Sequence, residues 1–326
     1  MDQKMNPFQP LYDLCNAGDS KQKYADLPEF PRLIDIEPTN SCNFRCLMCP
    51  TGNLSLKRKA GFMDMDIYKK IVKQLTPYKT ALRFIQWGEP LLHPKIIDMI
   101  ELARDNNLLT HLNTNGSKLN IPMMENLIDA GLDSLKFSFQ GVDRKSYEEM
   151  RGTDFFEGLM ETVESFYKHR GNRVRPYLHV STTITYEDQE TVKGFKARIE
   201  NYVDKVTVGK TVLEFVDTNA VRLRPHELEL LKELKEKESV TKTHPECPEV
   251  YDKLSINWDG TVTACCSDAD NQMLLGDVQN DTLLKIWNCE KMNHYRSMLS
   301  EMRHDELPVC KSCYDYHSLS ESNSQI

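Results

Sequence analysis

The sequence predicts an α/β fold built on a parallel sheet, and two observations support this prediction. Six short strand-like runs recur along the chain, and a helix-like segment separates each run from the next. The strand-like runs are residues 32–37, 82–87, 108–114, 134–139, 177–184 and 205–208. The helix-like segments are residues 64–75, 94–106, 122–130, 155–169 and 187–202. Strands that alternate with helices pair in parallel through right-handed crossovers, but periodicity alone leaves open whether the sheet is open or closed into a barrel.

The ends of these elements divide the chain into segments. Pro94 and Pro122 each stand at the first position of a predicted helix, where proline is well tolerated. Residues 1–31 are polar and contain several prolines, which predicts a lead-in with one short helix. Residues 32–209 hold the alternating strands and helices and form the first predicted domain. Residues 210–245 are rich in charge, with leucines at a helical spacing, and predict a helical linker.

Composition and charge exclude several classes of protein. The chain has 326 residues and a net charge of -8, and 40% of its residues are hydrophobic, which is ordinary for a globular protein. The acidic balance argues against a surface that binds nucleic acid. The first residues lead into no apolar run, so we expect no signal peptide, no membrane span and a cytoplasmic location. In such a chain, the 10 cysteines favour metal ligation over disulfide bonds.

Three of the cysteines, Cys42, Cys46 and Cys49, lie close together on a loop that follows the first predicted strand. Three thiolates that converge in one loop can bind three irons of a cubane iron–sulfur cluster, and the fourth iron then stays open to a small molecule. A structural zinc site would need four closed ligands, and no fourth donor follows at the spacing of a zinc finger. Three buried or disulfide-bonded cysteines are the alternative interpretation.

This C-x3-C-x2-C loop resembles the signature of the radical S-adenosylmethionine (SAM) enzymes. The resemblance implies that the three thiols bind a [4Fe-4S] cluster, whose open iron is chelated by the amino and carboxylate groups of SAM. It also implies a partial (β/α)6 barrel, with the chemistry at the carboxyl ends of the strands. Phe44 stands between the predicted ligands and could pack against the cluster or the adenine, or belong to the core.

Residues at the ends of later strands extend the resemblance. Gly88, Glu89 and Pro90 follow the second strand and resemble the family's Gly-Gly-Glu-Pro element, which implies that they hold the SAM ammonium. Trp87 stands where the family has its first glycine. Other strand ends resemble the positions that contact the SAM ribose and carboxylate, although the last of them departs from the family's aspartate. These residues are Asn113, Asn115, Ser138 and Gln140. Each could instead be only a turn residue after a strand.

A second group of thiols lies near the end of the chain, at Cys247, Cys265, Cys310 and Cys313. A predicted β-hairpin with an Asp-Gly turn separates the first two, and a short helix over residues 282–288 precedes the last two. By spacing alone, four cysteines could equally bind a structural zinc. The pattern resembles the auxiliary-cluster module of radical SAM enzymes, called SPASM in its larger form and twitch in its shorter form. The resemblance implies a second, auxiliary [4Fe-4S] cluster, fully ligated by these four thiols, in a small domain over residues 246–326.

Two further residues are candidates for catalysis. Arg151 could clamp the SAM carboxylate or a substrate oxygen, or it could be a solvated arginine at the end of a helix. Cys266 follows a predicted ligand and, on the alternation of the hairpin, should face the other way. Its thiol could return a hydrogen atom to a substrate radical, or it could be a small buried residue without a chemical role.

The resemblance implies a reaction that begins with reductive cleavage of SAM and abstraction of a hydrogen atom from the substrate. A single auxiliary cluster offers an acceptor for one more electron. The predicted reaction is therefore oxidation of a secondary alcohol to a ketone on a sugar-like or cyclitol-like small molecule, with a flavodoxin or ferredoxin as electron donor. Epimerisation of a carbohydrate and modification of a peptide are the alternatives, and a non-enzymatic zinc-binding protein is a further one. Four polar residues near predicted strand ends could contact a hydroxylated ligand or be purely structural: His179, Thr183, Glu214 and Arg222.

Overall fold

The computed structural model describes residues 4–238, 240–242, 247, 249–313 and 317–319. The first strands of this part of the chain are β1 (Leu33–Ile36), β2 (Ala81–Phe84), β3 (Thr110–Thr114), β4 (Ser134–Ser138), β5 (Tyr177–Ile184) and β6 (Lys205–Lys210). The later strands are β7 (Val240–Lys242), β8 (Lys253–Ile256), β9 (Thr261–Thr263), β10 (Leu274–Asp277) and β11 (His317–Leu319). β7 and β11 pair with each other in a small antiparallel ribbon. All six strands predicted in the first domain are therefore present.

One open sheet organises the described residues, in the order β10-β9-β8-β1-β2-β3-β4-β5-β6. β1 to β6 are parallel in sequence order, which confirms the prediction of a mainly parallel α/β sheet. β8 pairs in parallel with β1, whereas β9 and β10 continue the sheet in the antiparallel direction. The predicted C-terminal hairpin is thus formed, and it extends the same sheet instead of standing apart from it.

The helices are α1 (Gln9–Asn16), α2 (Ser20–Ala25), α3 (Met65–Leu75), α4 (Ile96–Asp105), α5 (Ile121–Asp129), α6 (Arg144–Arg151), α7 (Phe156–Arg170), α8 (Gln189–Ile199), α9 (Pro225–Glu236), α10 (Glu249–Asp252), α11 (Leu283–Trp287) and α12 (Glu290–Ser300). Asn120, Asp143 and Asp188 each cap a helix by accepting a hydrogen bond from a backbone N–H of its first turn. The lead-in contains two helices where the sequence predicted one. The predicted linker is helical only over α9, and α12 was not predicted.

The two faces of the sheet differ in character. On one face, apolar side chains of β1 to β5 are buried in the main core with residues from the surrounding helices; examples are Ile34, Leu82, Leu112, Leu135, Phe137 and Val180. On the other face, which we call the inner face, the central strands carry polar residues that keep part of their exposure. These residues are Asn113, Lys136, Ser138, His179, Ser181 and Thr183. A central strand can expose such residues only where no helix covers them, so the inner face borders open space.

The amino-terminal helix closes one end of this inner face. Phe8, directly before α1, is fully buried against Leu33 and Ala81 and meets the ring of His111 with 5.6 Å between ring centroids. These three partners stand near the beginning of their strands. The carboxyl ends of the strands are left as the open side of the sheet, where the first group of cysteines lies.

Candidate active site

The loop that carries Cys42, Cys46 and Cys49 leaves the carboxyl end of β1. Its turn is tight, because a Cβ atom on Gly52 would lie 2.4 Å from the backbone nitrogen of Cys46. Burial raises the pKa of Cys42 to about 12 and that of Cys49 to about 11, with the neighbouring thiols adding to both shifts. These groups are therefore neutral thiols until a metal displaces their protons. Three neighbouring thiols in one tight loop fit an iron–sulfur cluster with one open iron.

The end of β2 is pressed against this loop. A Cβ atom on Gly88 would lie 2.0 Å from the carbonyl oxygen of Thr39, and the backbone N–H of Glu89 donates to Ser41 O at 2.9 Å. Only glycine permits so close an approach. Trp87, which departs from the family's glycine, leaves this contact intact. Gly88 thus fixes the residues immediately before Cys42 relative to the sheet.

The Glu89 carboxylate, next to Pro90, ties β2 to the end of β3. It accepts hydrogen bonds from Leu91 N at 3.1 Å, from Thr114 Oγ1 at 2.7 Å and from Asn115 N at 2.8 Å. Its burial raises its pKa, although these three donors oppose the shift. Glu89 therefore uses much of its hydrogen-bonding capacity to join the end of β2 to the end of β3 beside the cysteine loop.

Replacing Glu89 by glutamine is expected to lower the free energy of unfolding by about 1–3 kcal/mol, because the new amide N–H2 would face a donor and leave it unpaired. Chemical denaturation of both proteins measures the change. Glu125→Gln, on the exposed side of α5, is the matched control and should shift stability by less than about 0.5 kcal/mol. Equal denaturation midpoints for the two variants would show that the hydrogen bonds of Glu89 do not contribute to stability.

The predicted SAM contacts on β3 lie at different depths. Asn115 reaches the cysteine loop, where its Nδ2 donates to Asn43 Oδ1 at 3.1 Å and lies 3.8 Å from Cys42 Sγ. Asn113 lies deeper on the inner face, and its Oδ1 accepts from His111 Nε2 at 2.7 Å. Asn115 is thus beside the proposed cluster, whereas Asn113 belongs to a layer below it.

Arg151 is not a solvated arginine at a helix end. Its guanidinium donates to Cys46 Sγ at 3.4 Å and to the carbonyl oxygen of Ser138, and its Nε is buried. It therefore joins the cysteine loop to the carboxyl end of β4. Phe44 is 7% exposed and packs edge-on against Phe155, with 6.2 Å between ring centroids, so it belongs to the core.

Gln140 uses both ends of its amide within the protein. Its Oε1 accepts from Thr183 Oγ1 at 2.7 Å, its Nε2 donates to Thr211 Oγ1, and the two threonine hydroxyls are 3.0 Å apart. This triangle joins the carboxyl ends of β4, β5 and β6. Gln140 therefore shapes a wall, and its amide keeps one N–H and one oxygen lone pair beyond these bonds, so the predicted contact with SAM stays a prediction.

The second group of thiols also converges. Cys247 precedes α10, Cys265 follows β9, and Cys310 and Cys313 bound a short 3-10 turn. Burial raises the pKa of Cys247, and the nearby Cys310 and Cys313 add to the shift. Burial and Cys313 likewise raise the pKa of Cys310 to about 12. These thiols come from separate segments but are close enough to raise one another's pKa, so together they could bind one metal group.

Cys266 does not face away from Cys265, as the alternation of the hairpin predicted. The two sulfurs and a carboxylate oxygen of Glu249 lie within 4.8 Å of one another. The prediction was wrong because β9 ends at Thr263, so strand alternation no longer applies to Cys266. The thiol donates to Glu249 Oε2 at 3.7 Å, and Glu249 also accepts from Lys253.

A cavity of about 570 Å³ lies between the two groups of thiols. Cys49 contributes to one side of it and Cys313 to another. The lining is mixed. Its polar residues include Gln140, Thr183, Lys210, Thr211, Ser267, Asp270 and Gln272, and its apolar residues include Met48, Pro50, Val212, Phe215, Val216, Ala269 and Val309. Trp87 also lines it. The cavity can therefore hold a hydroxylated molecule close to both cysteine groups.

Several of these lining residues escaped the sequence analysis. Lys210 ends β6 and Thr211 follows it, but the sequence predicted that this strand ends at residue 208. Asp270 lies in a turn without a recognised pattern. The inner face had a clear signal that was missed. Parallel strands covered on both faces are almost uniformly hydrophobic, yet β1, β2 and β4 place Asp35, Arg83 and Lys136 between apolar residues.

Comparison with known proteins agrees with this geometry. Residues 36–200, half of the chain, match the family model of the radical SAM superfamily, and residues 247–314 match that of the SPASM iron-sulfur cluster-binding domain. The chain belongs to the radical SAM superfamily. This radical SAM protein accordingly uses SAM and a SAM-binding [4Fe-4S] cluster, and its SPASM region carries auxiliary iron–sulfur ligation. The individual cysteine ligands and SAM contacts stay predictions, as does the number of auxiliary clusters.

The curated proteins that are similar in sequence to this chain have different described roles. The chain is 24% identical to the tungsten-containing aldehyde ferredoxin oxidoreductase cofactor-modifying protein of Pyrococcus furiosus, over 86% of this chain and 87% of that protein. It is 32% identical to the PqqA peptide cyclase of Gluconobacter oxydans, but over only 39% of this chain and 35% of the cyclase. The match thus spans about a third of the cyclase, so its activity does not transfer directly.

Solved structures share the fold. BtrN in complex with AdoMet and 2-DOIA has a TM-score of 0.57 and 18% identity, covering 89% of this chain and 99% of BtrN. Streptococcus suis SuiB bound to S-adenosylmethionine has a TM-score of 0.64 and 17% identity, covering 86% of this chain and 71% of SuiB. At these identities the likeness concerns the fold alone. Among the described residues, no helix is long and apolar enough to cross a membrane.

Proposed function

We propose that this protein is a SAM-dependent oxidoreductase that converts a secondary alcohol of a sugar-like or cyclitol-like molecule into a ketone. The observation that carries the proposal is the cavity lined by both Cys49 and Cys313. A molecule bound there lies between the site where a radical would be generated and a second site that could accept an electron. The polar residues within its mixed lining could bind several hydroxyl groups of a substrate.

The first thiol loop provides the radical chemistry. Cys42, Cys46 and Cys49 would hold the cluster, which would supply the electron for reductive cleavage of SAM to methionine and the 5′-deoxyadenosyl radical. Gly88 and Glu89 hold this loop against the sheet, and Arg151 places a positive charge beside Cys46. The cavity wall formed by Gln140, Thr183 and Thr211 then orients the substrate.

The proposed oxidation removes one hydrogen atom, one proton and one electron from the alcohol. The alcohol carbon would give a hydrogen atom to the 5′-deoxyadenosyl radical, which would become 5′-deoxyadenosine. The hydroxyl group would then release its proton to water and the substrate radical would lose one electron, which would leave the ketone. An auxiliary cluster on Cys247, Cys265, Cys310 and Cys313 would receive that electron, and a flavodoxin or ferredoxin would reduce the first cluster for the next turnover.

Peptide modification is the second candidate, because a named relative is a peptide cyclase and SuiB has been solved with its precursor peptide. Both candidates require the same radical. They differ in the molecule that fills the cavity and in the bond that is finally formed. Epimerisation, the third possibility, would need a hydrogen donor, and the Cys266 thiol beside Glu249 is the available one.

The double variant Cys310→Ala/Cys313→Ala separates these roles. We expect it to form 5′-deoxyadenosine in the presence of a substrate while ketone formation falls by at least about 100-fold, because the electron acceptor is lost. The assay screens polyols, aminocyclitols and hexoses under reducing, anaerobic conditions and quantifies ketone and 5′-deoxyadenosine together. Cys289→Ala, outside both thiol groups, is the control and should leave both products unchanged.

Three results would count against alcohol oxidation. Full ketone formation by the double variant would remove the auxiliary cluster from the reaction. Inversion of a carbinol centre, with solvent deuterium incorporated, would favour epimerisation. Turnover of peptides and of no polyol would favour the second candidate.

A further inference from the structure

The inner face of the sheet carries more cationic than anionic side chains. Arg83 is paired with Asp35 by two hydrogen bonds of 2.6 and 2.8 Å, and Lys253 is paired with Glu249. Lys136 remains. In the part of the chain that the structure describes, no carboxylate lies within ion-pair distance of its ammonium and no acceptor within hydrogen-bond distance.

The side chain of Lys136 is half-buried in the middle of the sheet. Lys136 lies on β4 in register with Asn113 of β3 and His179 of β5, so strands flank it on both sides. Burial, reinforced by the positive charge of Arg83, lowers its pKa to about 8, although Asp35 and Cys266 act in the opposite direction. An unpaired cation in such a place costs free energy, which an anionic partner would recover.

Lys136 is also placed where a ligand could reach it. It lies one pleat, about 6.6 Å, below Ser138 at the carboxyl end of β4. His179, its neighbour, begins the line His179, Ser181 and Thr183 along β5, and Thr183 lines the cavity between the thiol groups. The polar inner face therefore continues from the cavity to Lys136, and the long lysine side chain can extend toward a bound molecule.

We propose that Lys136 binds an anionic group of the substrate, a carboxylate or a phosphate, and so selects acidic or phosphorylated polyols over neutral ones. This inference rests on the proposed function for the place of the substrate. The neighbouring polar residues are already bonded to one another, since His111 contacts Ser134 and Asn113, and His179 contacts Thr207. Among the described residues of this face, Lys136 is the partly buried cation that a ligand could pair.

The test is a thermal-unfolding titration of the reconstituted, anaerobic protein with inorganic phosphate at constant ionic strength. We expect the midpoint temperature of the wild type to rise saturably, by about 3 °C at ten times the dissociation constant. Lys136→Met keeps the length of the side chain and removes the charge. It should lose the rise, and without phosphate its midpoint should equal or exceed that of the wild type, because an unpaired buried charge has gone.

Lys205→Met is the matched control. Lys205 lies on β6 in register with His179, on the side of β5 that faces away from β4, and its side chain is exposed. It should keep the phosphate effect. A wild type without a saturable rise, or a Lys136→Met variant that keeps the rise, would overturn the proposal. A Lys136→Met variant that is less stable without phosphate would show that the charge is already compensated, for instance by the clusters, and would overturn it as well.

A final arm distinguishes the source of the anionic group. If saturating SAM abolishes the phosphate effect in the wild type, the carboxylate of SAM is the partner and the assignment to the substrate is wrong. If the effect persists with SAM bound, the substrate assignment is supported. Both results measure binding, so they stand or fall independently of whether an alcohol is oxidised.

Discussion

The triple variant Cys42→Ala/Cys46→Ala/Cys49→Ala is expected to retain about four of about eight irons and to lose all SAM cleavage. The three thiols lie in one loop at the carboxyl end of β1, whereas the other four come from segments around the C-terminal hairpin. Because the two groups lie on separate segments of the chain, removal of one set of ligands should leave the other cluster in place. Iron and sulfide analysis after anaerobic reconstitution, together with an assay for 5′-deoxyadenosine, measures both effects.

A reciprocal variant controls this experiment. Cys310→Ala/Cys313→Ala should also hold about four irons, but these should be the irons that support SAM cleavage. Loss of all iron from the triple variant would show that the C-terminal thiols hold no independent cluster. A wild type with only about four irons would mean that they bind zinc or nothing, and the proposed oxidation would then lack its electron acceptor.

Gly88→Ala is expected to be the most damaging single substitution at the site. The new Cβ would lie 2.0 Å from Thr39 O and 2.9 Å from Ser41 O, and both of these atoms belong to the backbone. Neither can move without displacing the residues that lead into Cys42. We expect unfolding to become easier by about 3 kcal/mol and iron occupancy of the first cluster to fall. Denaturant unfolding and iron analysis on the same preparation measure the two effects.

Gly194→Ala provides the matched control for this substitution. Gly194 is exposed within α8, and a Cβ atom there would meet nothing within 4 Å. Replacing glycine by alanine in a helix should therefore stabilise the protein by about 0.5–1 kcal/mol and leave iron unchanged. If Gly88→Ala behaved like Gly194→Ala, the contact between β2 and the cysteine loop would not be essential to the site.

The two predicted catalytic residues illustrate how far local patterns extend. Arg151 is the last residue of α6, where many arginines are solvated, and its contact with Cys46 depends on how α6 packs beside the cysteine loop. Cys266 was assigned to a strand that ends earlier, so its predicted direction was wrong. In both cases the direction of the side chain depends on contacts with distant segments, which a short stretch of sequence cannot predict.

The sequence by itself determined the family and the alternation of parallel strands with helices along the chain. Three cysteines at a fixed spacing, followed by Gly88 and Glu89 after the next strand, are local patterns, because a single loop supplies the ligands of a cluster. Six strands separated by helices likewise imply a parallel sheet, since the crossover rule acts between neighbours in the chain. These features survive in the structure because each depends on residues that are close in sequence.

Only the tertiary structure decided what surrounds the cavity and what lies beneath it. The pairing of β8 with β1 joins the C-terminal thiols to the first sheet, and the contacts of Gln140 with Thr183 and Thr211 join three strand ends. The unpaired state of Lys136 depends on Asp35 being taken by Arg83 from the next strand. Such arrangements depend on register and on contacts between distant segments, which the alternation of residues along one strand cannot specify.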